Sequence, residues 1–322
     1  MRAAIGAVVL TIILTSCVKD ELPVQPRDRG GLSEAQVCIG TDQAAQVWYD
    51  IGTASVVREG SKMDHDLAFE CGADGWRVRL NGARLMRSVR TSFTSFAVPL
   101  DTTGMATQWQ VDGPDGSADS TAIGDWRTAP TVYAIDLGYN TVGLHMGVKQ
   151  LLMLAVDAQA YTFTLADADG GGVDTFAVYK DYSRPAVYFS ISAGTQVDIA
   201  PPLGSFDLVF TQYTHRFTDP PIAYLVTGAV LGNSGARVAE IHASEFAAIA
   251  LADTLLHPFT SAEDAIGYDW KLYDFDTGTY IVDPTRAFIL QDREGYFYKL
   301  HFIDYYNDMG ERGCPTFEVV AL

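Results

Sequence analysis

The feature of this sequence that most constrains its fold is an internal repeat with a spacing of about 140 residues. Four pairs of similar segments occur in the same order: 47–52 with 187–192, 66–69 with 207–210, 149–154 with 286–290, and 161–163 with 298–300. One such pair could arise by chance, whereas four collinear pairs indicate a tandem duplication, and the spacing is far too long for a solenoid. We therefore predict two copies of one module, at residues 36–182 and 183–322.

The apolar segments inside each copy are short and rich in aromatic and branched residues, which is typical of strands. Residues 287–302 predict a hairpin with its turn at 292–295, and residues 151–165 predict the matching hairpin in the first copy. Residues 240–256 are Ala-rich, contain no Gly or Pro, and predict a helix that ends before Pro258. The predicted fold class is mainly β, with two tandem modules and one short helical segment.

The start of the chain predicts a lipoprotein signal peptide at residues 1–17. Arg2 precedes an apolar run at 3–14, and Leu14-Thr15-Ser16-Cys17 forms a lipobox. The apolar run is shorter than the ~20 residues that a membrane-spanning helix needs, although an ordinary signal or an N-terminal anchor stays open as an alternative. We expect cleavage before Cys17 and attachment to the membrane through acyl chains on Cys17.

The residues behind Cys17 predict where the protein is exported. Lys19-Asp20-Glu21 resembles the surface-export signal of Bacteroidetes lipoproteins, although a charged tether would have the same composition. Residues 18–35 are polar and contain the Pro/Gly-rich stretch 22–31, so they predict a flexible linker. We expect a lipid-anchored protein of the outer membrane that is exposed at the cell surface.

Composition narrows the class of protein. A hydrophobic fraction of 48% with 19% charged residues is typical of a globular chain, and a net charge of −18 excludes nucleic acid as a partner. Beyond Cys17 three cysteines remain, which is an odd number. Cys38 and Cys71 could form a disulfide and leave Cys314 as a buried thiol, or all three could be unpaired.

Several blocks of the second copy resemble the HmuY-like haem-binding lipoproteins of Bacteroidetes. The match covers about 183–322, and its blocks lie at 187–190, 206–213, 270, 286–290, 295–300, 302–307 and 310–317. The first copy matches more weakly, through 49–50 and 66–69. A tryptophan usually precedes the first Asp of this family's block, whereas His65 and Phe206 stand there in this chain. We expect His65 to pair with a neighbouring carboxylate in a structural role.

The resemblance implies an all-β surface haemophore, which captures haem and passes it to a TonB-dependent outer-membrane receptor. Family members hold the iron between two axial side chains, commonly histidines and in some relatives methionines. Positions comparable with the family's variable region offer these candidate haem ligands: His242, His257, His145 and Met146. The second family ligand falls just after the tryptophan, but residues 273–278, which follow Trp270, contain neither His nor Met. The bis-histidine mode is therefore not carried over.

Other functions have weaker support in the sequence. We find no HExxH, G-x-S-x-G, phosphate-loop or C-x-x-C motif, so we predict no catalytic residues and no metal beyond the haem iron. The alternative to a haem carrier is a non-haem accessory or adhesion lipoprotein, which would use the same β fold to bind another ligand or a protein partner.

Overall fold

The fold is mainly β, as predicted. A computed structural model describes residues 31–242 and 245–322, and within these ranges the chain forms twenty strands and five short 3-10 helices. The 3-10 helices are Gly82–Arg84, Ala118–Ser120, Trp126–Thr128, Phe246–Ala248 and Leu251–Leu255.

The strands follow one another along the chain with short connections. Those before residue 183 are β1 (Ser33–Gln36), β2 (Ala45–Asp50), β3 (Ser55–Ser61), β4 (Leu67–Glu70), β5 (Val78–Leu80), β6 (Arg87–Arg90), β7 (Val132–Asp136), β8 (Val148–Val156), β9 (Ala160–Asp167) and β10 (Asp174–Tyr179). Those after it are β11 (Ala186–Ser190), β12 (Thr195–Val197), β13 (Leu208–Thr218), β14 (Pro221–Val230), β15 (Arg237–His242), β16 (Lys271–Asp274), β17 (Thr279–Val282), β18 (Arg286–Gln291), β19 (Phe297–Tyr306) and β20 (Arg312–Ala321). The two predicted hairpins are β8–β9 and β18–β19.

These strands form five antiparallel sheets in the described part of the chain. Two are five-stranded, with orders β10-β9-β8-β7-β6 and β1-β20-β19-β18-β15. Two are four-stranded, with orders β12-β11-β4-β5 and β14-β13-β2-β3, and β16 pairs with β17 alone. Each four-stranded sheet takes strands from both sides of residue 182, so the two halves of the chain share sheets.

The segments of the predicted repeat pair with each other across the two halves of the chain, and the carboxylates of two aspartates bond backbone N–H groups of the opposite half. Residues 208–210 of β13 lie opposite 47–49 of β2, and residues 186–189 of β11 lie opposite 67–70 of β4. Asp207 accepts a hydrogen bond from the backbone N–H of Ile51 at 2.9 Å, and Asp66 accepts one from the N–H of Ile191 at 2.6 Å. Asp66 and Asp207 therefore each bond the turn that follows an aromatic strand in the other half of the chain.

Two aromatic cores lie beneath the sheets, and each contains residues from both halves of the chain. One core contains Tyr49 with Phe210 and Phe317, and the other contains Phe189 with Phe69. In the first core Tyr49 meets Phe317 edge-on at 5.2 Å, and Phe210 stacks on Phe317 at 5.2 Å. Burial of such large side chains is the main favourable contribution to folding, so the two halves stabilise each other.

The segment 240–256, predicted as one helix, is not continuous. Strand β15 runs to His242, and two separate 3-10 helices follow it. The buried ammonium of Lys299 donates to the backbone carbonyls of Phe246, Ala247 and Ile249, at 3.0, 3.2 and 2.8 Å. An α-helix would use these carbonyls internally, so their capture by Lys299 favours two tight turns instead.

The disulfide differs from both alternatives that the sequence left open. Cys38 is bonded to Cys314, and Cys71 is a free, buried cysteine. Strand β1 pairs with β20, and the backbone N–H of Ile39 beyond it donates to the carbonyl of Gly313 at 2.9 Å. This long-range pairing brings Cys38 beside Cys314, which sequence spacing does not reveal.

Part of the N-terminal prediction lies outside the described residues, namely the signal peptide 1–17 with Cys17, and residues 18–30 of the predicted linker. Residues 33–35, at the end of that linker, belong to β1. Over the ranges that the structure describes, none of the helices has the length and apolar character required to cross a bilayer.

Candidate functional site

Two of the predicted haem ligands, His145 and Met146, lie in the connection between β7 and β8. His145 is partly exposed, and its Nε2 lies 2.8 Å from Oδ1 of the buried Asp136. The ring of His145 also contacts Tyr139 at 5.5 Å, while Met146 is 40% exposed. A carboxylate therefore already orients this imidazole at the end of the first five-stranded sheet.

The other two predicted ligands lie in the second half of the chain. His242 ends β15, is 69% exposed, and places Nε2 3.3 Å from Glu240. His242 lies opposite Arg286 of β18, whose N–H donates to the carbonyl of Asp283 at 3.3 Å. Asp283 directly follows β17, so His242 lies near the base of the β16–β17 hairpin. His257 is half-buried and follows the last 3-10 helix. His145 and Met146 thus lie in a connection of one five-stranded sheet, and His242 ends a strand of the other.

The β16–β17 hairpin occupies the position where the family's second ligand is expected. Trp270 precedes it, is buried, and stacks on Phe302 at 3.9 Å. The next residue, Lys271, is buried and donates to the carbonyls of Thr227 at 2.5 Å and Tyr268 at 3.2 Å. Burial lowers the pKa of Lys271 to about 7. Through Lys271 the hairpin is fixed beside β14.

Tyr224, Tyr273, Phe275 and Tyr280 form a surface that we call the aromatic surface. Tyr273 contacts Phe275 at 5.0 Å and Tyr280 at 5.1 Å. Tyr224 of β14 lies close enough to influence the pKa of Tyr280. Tyr224, Tyr273 and Phe275 are 60%, 43% and 88% exposed, and exposed apolar groups of this kind mark interaction sites.

The electrostatics of the aromatic surface come from a neighbouring cation and from burial. Burial raises the pKa of Tyr280, and the guanidinium of Arg312 opposes that rise. Arg312 lies opposite Tyr306 in the β19–β20 pairing, and the hydroxyl of Tyr306 accepts a hydrogen bond from the N–H of Tyr280 at 2.7 Å. One exposed guanidinium therefore stands next to the aromatic rings.

The aromatic surface and Arg312 meet some requirements of a haem site, but they lack the His or Met ligands of the family. Haem needs apolar faces for the ring, donors for its propionates and an axial ligand. The aromatic surface supplies rings, Arg312 supplies a donor, and the hydroxyls of Tyr224 and Tyr273 are oxygen ligands of the type that ferric haem accepts. The surface contains no His or Met, so it does not provide the paired ligands of the family. The sequence did not point to this surface because only His and Met count there as expected axial ligands; the aromatic residues of 273–280 were the signal in the sequence, and their exposure is visible only in the structure.

His65 differs from its expected role. The carboxylates beside it are used elsewhere: Asp64 accepts the N–H of Ser61 at 2.8 Å, and Asp66 pairs with Arg84. The imidazole instead packs edge-on against Tyr188 at 4.9 Å, and its Nδ1 has no hydrogen-bond partner. Burial lowers the pKa of His65 to about 3, so the ring is neutral under ordinary conditions.

Comparison with known proteins gives one family and several solved structures. The family model described as HmuY protein matches residues 42–319, which spans the predicted boundary at residue 182. No curated protein sequence matches the chain.

Three solved structures illustrate the range of similarity. Apo PinO from Porphyromonas gingivitis is 9% identical, with a TM-score of 0.32 over 91% of this chain and 98% of its own. The apo HmuY analogue TFO from Tannerella forsythia is 9% identical, with a TM-score of 0.24 over 91% and 98%. A protein from Bacteroides vulgatus, described as HmuY-like and haem-binding, is 13% identical, with a TM-score of 0.22 over 53% of this chain and 91% of its own.

Proposed function

Because the chain belongs to the HmuY family, we propose that it is a haem-binding lipoprotein and that haem binds at the aromatic surface. The observation that carries this proposal is the exposure of Tyr273 and Phe275 in the hairpin after Trp270. In the family that stretch supplies an axial ligand, and here its exposed groups are aromatic. A porphyrin ring covering these side chains would remove apolar surface from water, which is favourable.

The axial ligand at this surface is proposed to be a tyrosine oxygen or the imidazole of His242. Tyr273 and Tyr224 both present exposed hydroxyls, and an ionised phenol is a known ligand of ferric haem. His242 is exposed and lies near the base of the same hairpin. His257, His145 and Met146 stay predictions, and in His145 the nitrogen left for iron is Nδ1, because Nε2 is bonded to Asp136.

The cellular role is proposed from the N-terminal sequence and the family. Cys17 would anchor the protein, and Lys19-Asp20-Glu21 would direct it to the outer surface of the outer membrane. Haem captured there would be passed to a TonB-dependent receptor. Enzymatic activity is not part of the proposal.

Titration of the purified full chain with ferric haem, followed at the Soret band, tests this proposal. We expect a saturable band with a stoichiometry near one. Phe275→Ser should weaken binding about tenfold or more, because a buried aromatic contact is worth ~1.5–3 kcal/mol, and Tyr273→Phe should shift the band if Tyr273 ligates the iron. Tyr179→Phe, at an exposed tyrosine of β10, is the matched control and should change neither.

The Soret bands of single variants show which candidate side chain ligates the iron. A band shift in His242→Ala but not in Tyr273→Phe or Tyr224→Phe would assign the imidazole. No saturable band at micromolar haem would contradict haem binding altogether.

The second candidate function is binding of a protein partner without haem. Leu251 and Leu255, the ends of the last 3-10 helix, and the adjacent Leu256 are 50%, 88% and 73% exposed, and a group of exposed apolar side chains favours a protein contact. This alternative predicts no Soret band and an intact fold.

A further inference from the structure

The connection between β7 and β8 is a closed hairpin with exposed apolar side chains at its end, and we call residues 138–147 the β7–β8 tip. Val142 and Leu144 are 77% and 64% exposed, and Met146 behind them is 40% exposed. Leu144 and Met146 are two residues apart in one arm of the hairpin, so they point to the same face. The tip therefore presents a continuous apolar surface to its surroundings.

The backbone of the β7–β8 tip is bonded from within. The N–H of Asn140 donates to the carbonyl of Leu144 at 3.0 Å, and the N–H of Gly143 donates to the carbonyl of Asn140 at 3.0 Å. The side-chain oxygen of Asn140 accepts the N–H groups of Val142 and Leu144 at 3.1 and 2.9 Å. Because an unpaired N–H is costly to remove from water, these bonds allow the end of the tip to enter an apolar medium.

The β7–β8 tip is also uncharged, although the net charge of the chain is −18. Residues 138–147 contain no Asp, Glu, Lys or Arg. Their histidine, His145, bonds to Asp136 at the base of the tip, and the next cation along the chain, Lys149, pairs with Asp167. A charged side chain is costly in lipid, so the lack of charge at the end of the tip suits a bilayer.

The proposed lipid anchor would keep the β7–β8 tip close to a bilayer. Residues 18–31 link Cys17 to the described part of the chain and span at most ~50 Å when fully extended. A tethered domain has a high effective concentration at the surface that holds it, so a few apolar side chains suffice for contact. This step rests on the anchoring through Cys17 that the proposed function contains.

We propose that the β7–β8 tip inserts Val142, Leu144 and Met146 into the lipid leaflet that carries the anchor, and so fixes the orientation of the protein on the membrane. Tyr139, at the base of the tip, would lie at the headgroups, where tyrosine is enriched. Exposed Asp169 follows β9 at the same end of the sheet, which favours lipids without net charge over anionic lipids.

A fluorescent label on the β7–β8 tip tests this with the full chain bound to phosphatidylcholine vesicles. Val142→Cys supplies an exposed thiol for a nitrobenzoxadiazole label. Among the described residues the native cysteines do not compete, because Cys71 is buried and Cys38 is bonded to Cys314. After flotation of the vesicles, we expect label emission at shorter wavelength and quenching by nitroxides on the lipid acyl chains.

Leu154→Cys is the matched control, because Leu154 is 50% exposed on β8 but lies ~20 Å along that strand from the tip. A label there should keep its emission on vesicles and stay unquenched. Combined with Val142→Cys, Leu144→Ser should lower the ratio of inserted to free tips about tenfold, since it removes an exposed apolar side chain. Leu154→Ser in the same background should leave that ratio unchanged.

Three results would overturn the proposal: no chain on the floated vesicles, unchanged emission of the label at position 142, or equal quenching at positions 142 and 154. Unchanged emission on floated vesicles would point to a protein contact instead. Phosphatidylglycerol in the vesicles should not increase insertion, and an increase would contradict an apolar mode of binding. The Soret titration is a separate assay. Leu144→Ser should leave the haem band unchanged, and a chain that binds no haem should still insert the tip.

Discussion

At the scale of single residues, Asp66 is the side chain whose loss should cost most. It is buried, pairs with the buried guanidinium of Arg84, and accepts the N–H of Ile191 from the other half of the chain. We expect Asp66→Ala to lower the free energy of unfolding by about 3–5 kcal/mol, because it leaves a buried cation without its partner. Urea denaturation measures this. Asp198→Ala is the control. Asp198 also pairs with arginine but is 64% exposed, so this variant should lower the free energy of unfolding much less.

His65 should make stability depend on pH. Its pKa is about 3 in the folded chain because the ring is buried, against 6.5 for an ordinary histidine. Between these values the unfolded chain binds the extra proton, so stability falls as pH falls from about 6.5 to 3, by at most ~1.4 kcal/mol per pH unit. His65→Phe, which introduces the residue found at the related position 206, should remove this part of the slope. Equal slopes in urea midpoints from pH 4 to 6.5 would contradict the assignment.

At the scale of elements, the N-terminal strand β1 is fastened to β20 by the Cys38–Cys314 disulfide. The bond closes a loop of 276 residues, and its loss should lower the free energy of unfolding by about 3–5 kcal/mol. We expect the double variant Cys38→Ser, Cys314→Ser to show this in urea denaturation. Dithiothreitol should bring the unmodified chain to the same midpoint and leave the double variant unchanged. If dithiothreitol left the urea midpoint of the unmodified chain unchanged, the result would argue against the disulfide.

Elements were predictable from the sequence where the signal was local. The β8–β9 and β18–β19 hairpins follow from two apolar runs on either side of a turn, since such patterns depend on neighbours in sequence. The prediction of a helix at 240–256 was wrong because Lys299, which is distant in sequence, binds the backbone carbonyls that a helix would use. The prediction of the disulfide was wrong because the bond depends on the pairing of the first and last strands, which the sequence does not reveal. The family was found from framework blocks, whereas the aromatic surface required knowing that Tyr273 and Phe275 stay exposed.

At the scale of the whole molecule, the two halves of the chain complete each other. Strand β2 needs β13, and β4 needs β11, while each aromatic core takes side chains from both halves. A half expressed alone would leave these strand edges unpaired and part of each core exposed to water. The predicted boundary at residue 182 thus divides the sequence into copies whose strands and cores are shared.

Separate expression of residues 36–182 and 183–322 tests this dependence. We expect neither fragment alone to unfold cooperatively or to give near-ultraviolet circular dichroism like that of the full chain, and refolding the two together should restore both signals. The matched control is a full chain with a protease site inserted between the exposed Tyr182 and Ser183. After cleavage it should stay folded, because the shared sheets and the Cys38–Cys314 bond still join the halves. A fragment that unfolds cooperatively by itself would mean that one copy carries a complete core, and that the pairing of β2 with β13 and of β4 with β11 joins modules that are already stable.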